Sequence, residues 1–186
     1  MSILSALSSK KETKKVSSSL KDFLENFSIE VMPRTASKIE NFNEILPQNT
    51  RVYIAHIEGV PIDEMVQTAK RISSEGFDVM PHFPARIIKD KNQLEDWINR
   101  YQGEAGIDQA LLLAGGVSQP HGVYESSMQL VESELFEKYN FKNLHFAGHP
   151  EGNKDIDNDG SNKNVEAALS WKQKFKERTD INIALT

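Results

Sequence analysis

Glu30 and the histidines are the side chains of this sequence best placed to do chemistry. Glu30 sits inside the apolar run Ser28-Ile29-Glu30-Val31-Met32. Strand alternation puts Ser28, Glu30 and Met32 on one face, so the carboxylate points inward near a strand end. A carboxylate partly desolvated in that way has a raised pKa and can act as a general acid near neutral pH. The alternative is a structural ion pair, with Arg34 as the nearby cation. His56, His82 and His149 also fall at the ends of apolar runs. Hydrolases built on barrels gather histidines at strand ends around a metal. Those sites start from His-x-His on the first strand, where this chain has Glu30 alone. His82, between Pro81 and Phe83-Pro84, reads instead as a neutral hydrogen-bonding group. His145 lies four residues before His149 and so deeper on the same strand face, as a satisfied core histidine. His121, in a Pro-His-Gly loop, reads as exposed.

Three further features carry less. Asp155, Asp157, Asp159, Gly160 and Glu166 fit the spacing of an EF-hand calcium loop. Asn162 stands where that loop has an apolar residue, and a strand rather than a helix precedes it. An acidic loop leading into a helix is the expected reading, with weak Ca²⁺ binding left open. The Gly115-Gly116 pair follows Leu111-Leu112-Leu113-Ala114 and would let the backbone approach a ligand. Trp97 and Trp171 lie on helical apolar stripes and read as packing residues.

The elements that must position these groups alternate regularly. Strands are expected over residues 27–32, 51–57, 78–83, 109–115, 143–149 and 181–186. Helices are expected over 37–46, 61–76, 92–103, 126–139 and 162–178. Strict β-α alternation implies a parallel sheet with crossover helices. An open doubly wound sheet is complete with six strands, whereas a (β/α)₈ barrel needs eight, typically in about 250 residues. Pro33, Arg34 and Thr35 occupy the turn where a dinucleotide-binding half has its glycines. Glu30, His56, His82, Gly115-Gly116 and His149 all collect at strand C-termini, where a barrel keeps its functional groups. The expected fold is therefore α/β, a (β/α)₈ TIM barrel that is incomplete here. Residues 1–26 form a Ser- and Lys-rich leader ending in a helix with Leu20, Phe23 and Leu24, and residues 27–186 form the barrel domain.

Composition narrows the class. The chain has 186 residues, no Cys, and 22 basic against 27 acidic side chains, a formal charge of −5. Without Cys there is no disulfide framework, thiolate metal site or Cys nucleophile. The acidic balance gives no electrostatic footprint for nucleic acid. No apolar run approaches the roughly 18 residues a membrane span needs. A soluble, cytoplasmic protein with neither nucleic acid nor membrane as partner is expected, with a homo-oligomer left open.

Five strand-end motifs occur in order: Glu-Val-Met-Pro-Arg-Thr at 30–35, Met-Pro-His-Phe at 80–83, Leu-Leu-Ala-Gly-Gly at 112–116, Val-Tyr-Glu-Ser at 123–126 and Gly-His-Pro-Glu at 148–151. Together, over residues 27–186, they resemble the methylenetetrahydrofolate reductase family, FAD-containing (β/α)₈ barrels. The resemblance implies reduction of 5,10-methylenetetrahydrofolate to 5-methyltetrahydrofolate, with NADH or NADPH as hydride source. By that analogy Glu30 matches the general acid and His82 a flavin-contacting histidine. Gly115, Gly116, Tyr124 and His149 match positions lining the FAD, His56 falls near another, and Lys174 is the expected phosphate partner.

Three departures stand out. Leu113-Ala114-Gly115-Gly116 replaces the family's Leu-Arg-Gly-Asp, so Gly116 removes a carboxylate near flavin and folate. One Pro is missing after Met32, as in a divergent branch acting on a related one-carbon donor. The chain also ends where the sixth strand would continue, so it reads as the N-terminal portion of a longer protein. A metal-dependent barrel hydrolase or lyase, and a non-catalytic fragment of the reductase family, are the alternatives.

Overall fold

The computed structural model describes residues 26–149 and 151–186, with Asp22 and Leu24. The leader helix expected around Leu20 and Phe23 lies outside the described residues. Six strands follow in turn: β1 (Ser28–Val31), β2 (Arg51–Ile54), β3 (Asp78–Pro84), β4 (Gln109–Leu113), β5 (Asn143–Phe146) and β6 (Asn182–Leu185). Neighbours are parallel, and the spatial order of the strands is their order in the chain. A doubly wound sheet reverses direction at a switch point. This sheet does not, and with its intervening helices it forms a partial, barrel-like α/β arrangement. No helix among the described residues is long and apolar enough to cross a membrane.

The helices are α1 (Pro33–Ala36), α2 (Ile62–Ser74), α3 (Lys91–Ala105), α4 (Ser127–Glu132), α5 (Leu135–Lys138) and α6 (Lys163–Arg178). Local chemistry sets their ends. The Asp90 side chain accepts from the Gln93 amide at 2.9 Å, capping α3, and Gly106 closes it at φ +67°. Two expected helices come out differently. The one expected over 37–46 is instead the short α1, begun by Pro33 in the first turn, followed by a 3₁₀ turn over Phe42–Glu44. The one expected over 126–139 is split into α4 and α5, because Glu134 adopts φ +61° between them.

Strand alternation sorts the sheet into two faces. Val52, Ile54, Val79, Phe83, Ala110, Leu112, Leu144 and Phe146 belong to the large core packed under the helices. There they share burial with Met65, Val66, Ala69 and Ile72 of α2 and Leu94, Trp97, Ile98 and Tyr101 of α3. Burial of each large side chain contributes roughly 1.5–3 kcal/mol. The opposite, inner face holds a small apolar cluster, Tyr53, Met80 and Leu111 with Leu113 beside it.

Toward the N-terminal ends of the strands the inner face is polar. Arg51 Nε donates to Asp78 Oδ2 at 2.7 Å. The Gln109 amide donates to Asp78 and, at 3.0 Å, to the Val79 carbonyl. Asn143 Nδ2 then donates to Gln109 at 3.4 Å, and Asn182 Nδ2 to Asn143 at 2.9 Å. Hydrogen bonds thus run side chain to side chain across β2 to β6. Above them the Tyr53 hydroxyl lies 2.7 Å from His145 Nδ1, while Arg51 Nη1 lies 3.3 Å from His145 Nε2. Arginine only donates, so Nε2 must accept and the proton sits on Nδ1. Burial, then the Arg51 charge, lowers the His145 pKa and keeps the ring neutral. His145 is thus a satisfied interior histidine.

Candidate functional site

The C-terminal ends of β1 to β4 share one rim, where the following loops enclose a cleft of about 930 Å³. Glu30 enters from β1, His56 and Glu58 from just beyond β2, and His82 from β3. Gly115, Gly116 and His121 follow β4. Residues from four segments distant in sequence therefore meet because the strands lie in chain order and in register.

Glu30 Oε2 is 3.3 Å from His82 Nε2, so its partner is His82 rather than Arg34. Its side chain is 58% exposed, and the partial desolvation expected for it is not supplied by these residues. His82 differs. Its side chain is 9% exposed, and burial, reinforced by nearby His56, pushes its pKa down to about 4. It is neutral at pH 7. The Glu30 contact is not aligned as a hydrogen bond, and buried Nε2 has no hydrogen-bond partner among the described residues. His56 donates from Nε2 to the Val60 carbonyl at 2.9 Å and stacks on Trp97 with centroids 4.6 Å apart. Burial lowers its pKa too, and its buried Nδ1 likewise lacks a partner. An unmet buried polar atom costs about 1–3 kcal/mol. Two on one rim suit a polar ligand.

Gly115 and Gly116 are not equivalent. Gly115 has φ +96°, and a Cβ there would stand 3.1 Å from Pro84 Cβ, so both conformation and space favour glycine. A Cβ at Gly116 meets nothing within 4 Å. Packing therefore leaves room for a side chain at 116.

A second cleft of about 640 Å³ lies beyond Leu113, which lines both. Arg86, Ser126, His149, Asn164 and Lys172 contribute to it. His149 is not on β5, as expected, but in the following loop at φ +50°, 3.4 Å from Asn153 Nδ2. Lys172 is buried, donates to the Ala147 carbonyl at 2.7 Å, and has its pKa lowered by burial. Lys174 is exposed and lines neither cleft. Val165, Lys172 and Phe175 are the buried residues of α6, and two residues of helix rotation carry position 174 to the far side. Tyr124 also lines neither cleft. It is buried in the outer core, where burial, then Asp90, raises its pKa.

Arg86 was not singled out by sequence, yet it organises the rim. Its Nε donates to the Glu125 carbonyl at 3.1 Å and its Nη1 to the Val117 carbonyl at 3.3 Å. Its backbone N–H bonds Ala114 O at 2.9 Å, and His121 N bonds Arg86 O at 2.8 Å. At Gly122 any Cβ would collide with the Lys89 backbone, so this glycine permits the loop's close approach. Glu58 and Lys172 were also missed. Lys172 was legible as the cation on the apolar stripe of α6; Glu58 and Arg86 had no local signal.

The acidic loop is a cap. Buried Asp157 accepts from the Asn164 amide at 3.1 Å and the Val165 amide at 3.0 Å, closing the start of α6. Among the described residues no three His, Cys, Asp or Glu side chains converge as a metal site. His56 and His82 line one cleft and His149 the other. The first cleft suits a planar group with a hydrogen-bonding edge, facing neutral His82 and the Gly115 backbone. The second offers Lys172 and Arg86 to an anionic group. No protein-family model matches the chain.

Proposed function

We propose that this chain belongs to a flavin-dependent reductase of (β/α)₈ barrel type that converts 5,10-methylenetetrahydrofolate to 5-methyltetrahydrofolate. The reading rests on the five ordered motifs, and one observation carries it: Glu30, His82, His56 and Gly115 meet in a single cleft that adjoins the cleft of Lys172. The chemistry balances as the folate and NAD(P)H plus one proton giving the methyl folate and NAD(P)⁺. FAD supplies the hydride relay when bound. Lys172, in place of Lys174, and Arg86 are the cations available to its phosphates.

Glu30 holds the proton of this reaction. Substrate over the rim would cover the exposed carboxyl and bring it within reach of the folate nitrogens. Delivered to a nitrogen of the one-carbon bridge, the proton opens the five-membered ring to an iminium carbon that accepts hydride. His82, neutral beside it, offers a hydrogen bond without a competing positive charge.

Visible absorption of the protein after incubation with FAD and gel filtration tests the reading. Stoichiometric bound flavin is expected, and Glu30→Gln should keep the flavin while losing folate reduction. A protein that retains no flavin, or a Glu30→Gln variant that still turns over, would overturn it.

A further inference from the structure

Glu30 is not the only carboxylate in the first cleft. Glu58, in the turn after β2, lines the same space, with Oε1 2.7 Å from His121 Nε2 across the mouth. Gly59 beside it has φ +86°, the tight turn that puts Glu58 at the lip. His121 is itself held from behind by its amide bond to Arg86 O. No other hydrogen bond to the Glu58 carboxylate occurs among the described residues. The cleft also contains an independent sign of a ligand: His82, nine-tenths buried, with Nε2 unpartnered. Gly116 lines the same cleft, and a Cβ there would meet nothing within 4 Å.

We infer that Glu58 is the specificity carboxylate of this cleft and reads the donor edge of a 2-amino-4-oxopyrimidine ring, as in the pterin of a folate. The inference rests on the proposed folate reduction and names the residue that selects its substrate. A carboxylate offers two coplanar acceptor oxygens, and the ring N–H and exocyclic amino group of such a heterocycle present two parallel donors. His121 Nε2 takes one lone pair of Oε1 and so orients the carboxylate plane, leaving Oε2 and the second lone pair of Oε1 for the two donors. Glu30, beside His82 on the same rim, remains for proton delivery, so the two carboxylates divide the work between recognition and chemistry.

Folic acid, which carries the same ring but does not react, is the probe. Its binding to the 186-residue chain is followed by tryptophan fluorescence, beside a 2-desamino-2-methyl analogue that lacks the amino donor. Glu58→Gln should weaken folic acid about tenfold or more, the loss typical of a charged hydrogen-bond partner. It should weaken the analogue, which keeps only the ring N–H donor and is already weak on the wild-type protein, by a clearly smaller factor. Glu58→Asp should recover part of the affinity. Equal folic acid binding by wild type and Glu58→Gln would overturn the assignment, as would equal losses for both probes, which mark a merely structural role. The two readings fail separately. Flavin retained with folic acid binding indifferent to Glu58 removes only this assignment; no flavin but a Glu58-dependent, amino-dependent affinity removes only the reductase reading. A chain that binds neither removes both.

Discussion

The two ends of the inner sheet face are both polar, but they are built on opposite terms. At the N-terminal end, Arg51, Asp78, Gln109, Asn143 and Asn182 satisfy one another across five strands. At the C-terminal rim, His82 Nε2 and His56 Nδ1 are buried without hydrogen-bond partners among the described residues, and Glu30 and Glu58 stand more than half exposed. Polar groups that pair internally stabilise a fold, whereas polar groups left unmet are held in place by the rest of the structure and await a ligand. The contrast separates the internally paired end of this sheet from the end that carries the candidate site.

Acid should break the rim first. The ordinary histidine pKa is about 6.5 and that of His82 is about 4, so between these values the unfolded chain takes the proton and the folded one does not. Stability is therefore full above pH 6.5, falls as pH drops toward 4, and loses nothing more from this group below that. The loss is about 3 kcal/mol for His82, and the lowered values of His56 and His145 act in the same direction. Urea denaturation across this range should show the slope, and His82→Gln should flatten it.

Asp78→Ala should come next, because it leaves Arg51 and the Gln109 amide without their shared acceptor. A loss of about 2 kcal/mol is expected for these half-buried groups, against less than about 0.5 kcal/mol for Glu30→Ala at the exposed rim. Equal effects of the two variants in urea melts would erase the distinction between the ends. The glycine pair sharpens it further. Gly115→Ala meets a positive φ and Pro84 and should cost about 1–2 kcal/mol, while Gly116→Ala should stay within about 0.5 kcal/mol. One further effect belongs to neither end. Tyr101 is fully buried in the helical layer with its hydroxyl unpartnered. Tyr101→Phe should therefore raise the melting point, by the equivalent of up to about 1 kcal/mol.

Much of the scaffold was legible because period-2 and period-3.6 patterns report burial directly. All six strands appear where alternation placed them, five of them trimmed at their ends and β3 one residue longer. The failures are local. A helix over 126–139 fits the periodicity, but one residue, Glu134 at φ +61°, breaks it in two. His149 fits a strand continuing past Phe146, yet at φ +50° it has left the extended conformation and lies in the following loop. Among the site residues, Glu30, His56, His82, Gly115 and Gly116 do share one cleft. Tyr124 does not, since an aromatic next to a helix start gains more by joining the outer core than by facing water. Lys174 and Lys172 differ by only two positions, and helix rotation alone decides which of them faces the cleft.

The amino-acid sequence by itself determined the parallel alternation, the apolar outer face and the position of functional groups at strand ends, because each follows from the spacing of residues along one element. Only the tertiary structure decided which groups meet. The Arg51 to Asn182 hydrogen-bond chain, the Glu58–His121 contact across 63 residues and the grip of Arg86 on the rim loop all depend on strand register and loop path. Those are set by the packing of the whole sheet, and no local pattern carries them.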